Sequence, residues 1–163
     1  MKSITVTGVL LVGLVFIAPT IKGQNNLQGS TNMNTQIVRD FASAINEHTV
    51  DKLCLLMTED HTFIDSQGNE TMGKEKMRRA WIGYYQMFPD YKIEITDMFL
   101  SGDTVAAFGF AGGTYQGQND RKENYWHLPA SWKAVIKNGK IDVWQVYVDS
   151  KIPFDIITKN VKQ

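Results

Sequence analysis

Cysteine is nearly absent from this chain. Among 163 residues there is one, Cys54, so no disulfide can close within the chain. It sits in an apolar helical pattern and reads as a buried free thiol. An excess of either charge is missing too. Lysine and arginine number 17, and so do aspartate and glutamate. That balance leaves no basic footprint for nucleic acid. The histidines His48, His61 and His127 stand at no metal-ligand spacing, and neither a glycine-rich phosphate loop nor a nucleophile elbow occurs. Metal, nucleotide and covalent serine chemistry therefore find no support, and no cofactor is implied. Internal repeats and low-complexity blocks are also lacking.

A membrane-length apolar run is missing as well, although a shorter one opens the chain. Met1-Lys2 is a basic start, residues 4–19 are apolar apart from Ser, Thr and Gly positions, and polar sequence begins at Lys22. This reads as a signal peptide over residues 1–23, with the exact cleavage site open because Ile21 is a poor small residue. The run is too short and interrupted to span a bilayer, and no cysteine lies near it to carry a lipid. Removal deletes Lys2 and Lys22 and leaves 15 basic against 17 acidic residues. The mature protein is expected to be secreted or periplasmic, soluble and without a membrane contact.

What is present is an ordinary globular composition, 43% hydrophobic and 21% charged, enough for one domain with a real core. Residues 24–33 are polar and without period, which predicts a flexible leader before a domain at 34–163. Ile37, Val38, Phe41, Ala44, Ile45 and His48 then recur at helical spacing. A second helix follows Thr49, expected as its cap, with Val50, Leu53, Cys54, Leu56 and Met57 on its buried side. A third opens at Gly73 and stops at Pro89, carrying Met77, Ala80, Trp81, Tyr84, Tyr85, Met87 and Phe88. Between the second and third lies a short strand, residues 61–65, where alternation puts Phe63 and Asp65 on one face. Everything beyond Tyr91 is strand, and Asn138-Gly139 is the strongest hairpin signal. Gly109, Gly112 and Gly113 inside a strand predict bends or bulges. The architecture expected is α+β, a curved sheet packed against three N-terminal helices. Apolar residues on both faces of 141–148 predict that both sheet faces are covered, one of them by a second subunit in a homodimer.

The order of elements and several short motifs resemble the SnoaL-like branch of the nuclear transport factor 2-like superfamily. The resemblance spans about residues 34–158. It rests on residues 46–51 (Asn-Glu-His-Thr-Val-Asp) at the helix corner, 62–65 (Thr-Phe-Ile-Asp) leading to Gly73-Lys74-Glu75, and the run from Asn138-Gly139 through Trp144 to Asp149. It implies a cone-shaped domain with a mixed or antiparallel sheet wrapped around a pocket, often dimeric. It implies no single activity. In steroid isomerases of that superfamily the general base is an aspartate on the first strand, which Asp65 matches. The resemblance places their oxyanion tyrosine where this chain has Phe41, and their second oxyanion donor in the region of Pro129, Ala130 and Ser131, which holds no acid. Both donors are thus missing.

Asp65 is the candidate general base, against an equal claim as a turn cap before Ser66-Gln67-Gly68. His127, among Tyr125, Trp126, Leu128 and Trp132, is its candidate partner. Phe41, Phe63, Trp81, Tyr85 and Phe108 are the candidate pocket wall. Asp149 is favoured as a cap for a short C-terminal tail. Two functions follow. One is a non-catalytic module that binds a small hydrophobic molecule or assembles with itself. The other is an acid/base enzyme of isomerase, dehydratase or cyclase type, and the missing oxyanion donors favour the first.

Overall fold

In the computed structural model, residues 24–117 and 122–161 are described, with side chains from Met33 onward. The expected signal peptide lies outside them. Helix α1 spans Gln24–Asn46 and α2 spans Val50–Leu56. The segment expected as a flexible leader is thus the start of α1. Its composition is polar, so no apolar period marks a helix there. The predicted stripe is correct in the rest of α1: Val38, Phe41, Ala44 and Ile45 are buried.

His48 turns the chain between the two helices with φ of 54°. Its ring stacks on Tyr85 at 4.3 Å and its Nε2 lies 2.7 Å from the Tyr91 carbonyl. Thr49 precedes α2 but makes no capping bond with its side chain. Met57, expected on α2, instead begins β1 (Met57–Ile64) and is fully buried.

The sheet is mixed, with six strands in the order β2-β1-β6-β5-β4-β3. They are β1, β2 (Glu70–Met72), β3 (Lys92–Ser101), β4 (Thr104–Thr114), β5 (Tyr125–Lys137) and β6 (Lys140–Val148). The β1–β6 pair is parallel and the others are antiparallel. Asn138 and Gly139, with φ of 53° and 72°, close the β5–β6 hairpin as the sequence predicted. Curvature enters where the β3–β4 register shifts between Ile95 and Asp97, opposite Gly109. A Cβ at Gly109 would stand 1.8 Å from the Glu94 carbonyl oxygen, so only glycine allows the strands to approach there.

Helix α3 (Lys74–Met87) lies against β1, and α1 crosses β3. Asn46, at the end of α1, pins that crossing. Its Nδ2 donates to the Ile93 carbonyl at 2.9 Å and its Oδ1 accepts from the Ile93 amide at 2.8 Å. A fourth helix, α4 (Lys151–Val161), stands where only a short tail was expected. Asp149 caps it as predicted, accepting from the Lys151 amide at 3.0 Å.

Alternation along β5 puts Trp126, Ala130, Trp132, Ala134 and Ile136 on the buried face, and Tyr125, His127 and Lys133 on the other. That outer face is open to solvent in the single chain, with Phe99 65% and Phe108 46% exposed. Within one chain the helices cover the concave face, and the outer face is the one for which the sequence predicts a second subunit.

Candidate functional site

The concave side of the sheet, α3 and α4 together enclose a cavity of about 340 Å³. Each element contributes through its own periodicity. Helix α3 turns Met77, Ala80, Trp81, Tyr84 and Met87 toward it, one helical stripe. The turn after Pro89 adds Tyr91, β4 adds Ala111 and β5 adds Trp126. From β6 come Trp144, Val146 and Val148, residues two apart that share a face. Ser150, Pro153, Phe154 and Ile157, on α4 and its approach, complete the wall.

The rings form a continuous surface. Tyr84 meets Tyr91 edge-on with centroids 4.9 Å apart and Phe88 at 5.3 Å, while Trp126 lies 5.8 Å from Phe88 and 6.0 Å from Tyr91. Tyr84 and Tyr91 also carry hydroxyls. Neither hydroxyl makes a hydrogen bond to any described residue, and neither is among the unpaired polar atoms sealed from solvent. Burial pushes the Tyr84 hydroxyl well above the usual tyrosine range, with Tyr91 and Tyr85 adding to it, and burial pushes Tyr91 up as well. Both phenols therefore stay protonated and able to donate.

Asp65 is at the wall, on the same face as Phe63, as alternation required. Its carboxylate is already engaged. Oδ1 accepts from the amides of Gln67 at 2.8 Å and Asn69 at 2.9 Å, and Oδ2 accepts from Asn69 Nδ2 at 2.9 Å. Burial acts to raise its proton affinity, but the bonds from Asn69, Gln67 and Gly68 outweigh it and hold the carboxyl below its usual pKa. A base working near neutral pH needs the opposite shift.

The remaining residues singled out in the sequence separate into four places. Phe63 and Trp81 stand in the wall. Phe41 lies behind it, fully buried, with its ring 5.0 Å from Trp144. Tyr85 points away into the helix layer, where its hydroxyl donates to the Ile45 carbonyl at 3.0 Å and its ring packs between His48 and Trp81. His127 and Phe108 are on the outer face. His127 is exposed and stacked on Phe110 at 5.1 Å, and Phe108 lies edge-on to Phe99 at 6.0 Å. The pairing of Asp65 with His127 in one cavity is thus not found, since His127 shares its parity with Tyr125 and Lys133 rather than with Trp126. Phe108 is outside for the same reason: the concave side takes the small Ala107 and Ala111 of β4.

Tyr84 and Trp126 were visible in the sequence but carried only a core or neighbour signal. Tyr91 lies in a turn, where no period operates. His61, also unassigned, is fully buried on β1. Its Nδ1 is 2.9 Å from the Ile141 carbonyl, and Nε2 has no partner. Burial lowers the imidazole pKa, opposed by the Ile141 bond and Asp142. Among the described residues no group of His, Cys, Asp and Glu side chains is placed to hold a metal, and no helix is long and apolar enough to cross a membrane.

The profile of the SnoaL-like domain family matches residues 38–144. No curated protein matches the chain. Among solved structures, it is similar to a hypothetical protein with a ketosteroid isomerase-like fold from Catenulispora acidiphila, solved in complex with trimethylamine. The identity is 22% and the TM-score 0.61, over 68% of this chain and 83% of that one. An NTF2-like protein of unknown function from Cytophaga hutchinsonii gives 20% identity and a TM-score of 0.58, over 74% and 94% of the two chains. An LEH-like epoxide hydrolase of M. tuberculosis gives 11% identity and a TM-score of 0.65, over 80% and 93%. At these identities the likeness is one of fold.

Proposed function

Because the chain belongs to the family of SnoaL-like domains, whose fold provides a pocket without dictating its use, we propose that it is a binding protein for a small hydrophobic molecule held in the cone. The observation that carries this reading is the aromatic and aliphatic wall of the 340 Å³ cavity, a size suited to a small ligand. Transfer of apolar surface out of water supplies the affinity, at about 25 cal/mol per Å² removed.

The acid/base alternative uses Asp65 as general base. Two observations weigh against it: the three hydrogen bonds that already stabilise the carboxylate, and the position of His127 on the opposite face of the sheet. Had the alternative held, Asp65→Asn would abolish turnover and leave ligand affinity unchanged.

The deciding measurement is titration of the protein with butylbenzene, followed by tryptophan fluorescence and calorimetry, beside an Ala111→Phe variant that fills the cavity. Saturable one-site binding lost in the variant, with the thermal transition of the variant retained, supports the reading. Failure of the wild type to bind both butylbenzene and benzylacetone, the ketone of the same carbon skeleton, overturns it.

We further propose export by the signal peptide at 1–23 and a homodimer through the outer sheet face. The dimer reading is favoured by the exposed aromatic rings Phe99, Phe108, Tyr125 and Tyr147 on that face, an apolar surface that a second copy would cover.

A further inference from the structure

Resting on the reading of the cone as a ligand pocket, we infer that Tyr84 and Tyr91 together select the ligand, their two hydroxyls donating to one neutral carbonyl oxygen of an otherwise hydrophobic molecule. Both side chains line the cavity, and their rings are 4.9 Å apart at right angles. Both hydroxyls lack a partner among the described residues while remaining open to a visitor. Tyr85, their neighbour on α3, has no such freedom, because its hydroxyl is bonded to Ile45. Water reaches both hydroxyls in the empty pocket, so a ligand that displaces it without offering an acceptor leaves two donors unpaired, a cost that a ligand with a suitably placed oxygen avoids.

The charge of the acceptor follows from what else is there. Among the described residues no lysine, arginine or histidine lines the cavity, and its one carboxylic acid is Asp65. A carboxylate or phosphate would lose its hydration with no cation to replace it and would face the Asp65 charge. A ketone or ester oxygen accepts from two donors at once through its two lone pairs and brings no O–H of its own, whereas an alcohol's O–H would have to reach Asp65, Ser66, Thr71 or Ser150 elsewhere in the wall. The ligand class is therefore a neutral ketone, ester or lactone on a compact hydrocarbon frame. The chemistry is recognition only, with no bond made or broken.

The test compares benzylacetone with butylbenzene, which share a carbon skeleton and differ at the carbonyl, against the wild type, Tyr84→Phe, Tyr91→Phe and the double variant. Phenylalanine keeps the ring and removes only the hydroxyl. In the wild type benzylacetone should bind roughly tenfold or more tightly than butylbenzene, the expectation for two modest hydrogen bonds. Its C=O stretch should move to lower frequency on binding. Each single variant should lose part of the preference and the double variant all of it, together with the infrared shift, the gap closing from both sides as benzylacetone weakens and butylbenzene, no longer covering two unpaired hydroxyls, binds no more weakly than to the wild type. Equal binding of the two molecules by the wild type overturns the inference and leaves the hydrophobic pocket standing. So does a preference that survives in the double variant, or tighter binding of the dimethylphenethylammonium cation, which would show that the ring faces select. Failure of both probes to bind would instead remove the pocket reading on which the inference rests.

Discussion

Asn69 gives the Asp65 carboxylate both of its amides, the backbone N–H to one oxygen and the side-chain N–H to the other, each at 2.9 Å. In return the Asp65 amide donates to the Asn69 carbonyl at 3.0 Å. The aspartate at the cavity rim thus closes the turn that leads into β2.

Asp65→Ala should accordingly cost about 1–2 kcal/mol of stability, the range for removing a side chain that caps backbone amides. Butylbenzene affinity should hardly change. The folded pKa lies below the ordinary carboxylate value, so the contribution is present above that ordinary value and is lost as pH falls through the folded one. Urea denaturation at neutral and acid pH checks both statements. A variant as stable as wild type at neutral pH would show the turn bonds to be idle.

His61 predicts a second pH dependence, at higher pH. Its folded pKa is depressed by burial, so its neutral form fits the core at no protonation cost above the unfolded value of about 6.5. As pH falls below that value the unfolded state takes up a proton that the folded state resists, and stability declines down to the folded pKa. The thermal midpoint of wild type should fall between neutral pH and about pH 5, and His61→Gln should flatten that slope. Parallel slopes in the two proteins would assign the effect elsewhere.

Gly109→Ala should be severe for a half-buried strand position. The new methyl would meet the Glu94 carbonyl at 1.8 Å, a backbone atom that moves only if the β3–β4 bulge reorganises. A loss of about 3 kcal/mol or more in denaturant is expected, at the upper end of overpacking costs. Gly83, whose added Cβ meets nothing within 4 Å, supplies the matched control on α3.

The proposed dimer makes a separate prediction. Phe108→Glu places a charge in the middle of the outer face, far from the core, and should convert a dimer to a folded monomer with an unchanged circular dichroism spectrum. Light scattering reads the mass. A wild-type protein that is monomeric at micromolar concentration would end the dimer proposal.

The elements were legible where a single period or turn rule governs them. The α1 stripe from Ile37 to Ile45, the α3 stripe ending before Pro89, and the Asn138-Gly139 hairpin all stand where spacing put them. Parity placed Phe63 and Asp65 correctly, although β1 begins four residues before the predicted strand and ends just before Asp65. In β5 the same rule separates His127 from Trp126, but a cluster of aromatic letters hides the alternation. The polar first turns of α1 and the three-residue β2 carry no period to read. Tyr91 and α4 enter the site through tertiary folding, which brings a turn and the C-terminus to the open end of the cone, and sequence spacing holds no trace of that proximity.

For the proposed ligand, helix α4 bears on the rate of exchange as well as on the wall. The helix is held by Ile156, which is buried, and by the bond from Asn160 Nδ2 to Asn124 Oδ1 at 3.1 Å, while Ile152, Phe154 and Val161 remain exposed. Pro153, Phe154 and Ile157 cover the pocket from this lightly moored element. Loosening the mooring, as in Asn160→Ala, should therefore hasten both entry and exit of a guest and leave the equilibrium constant nearly untouched, so that residence time is set at the C-terminus and selectivity in the cone.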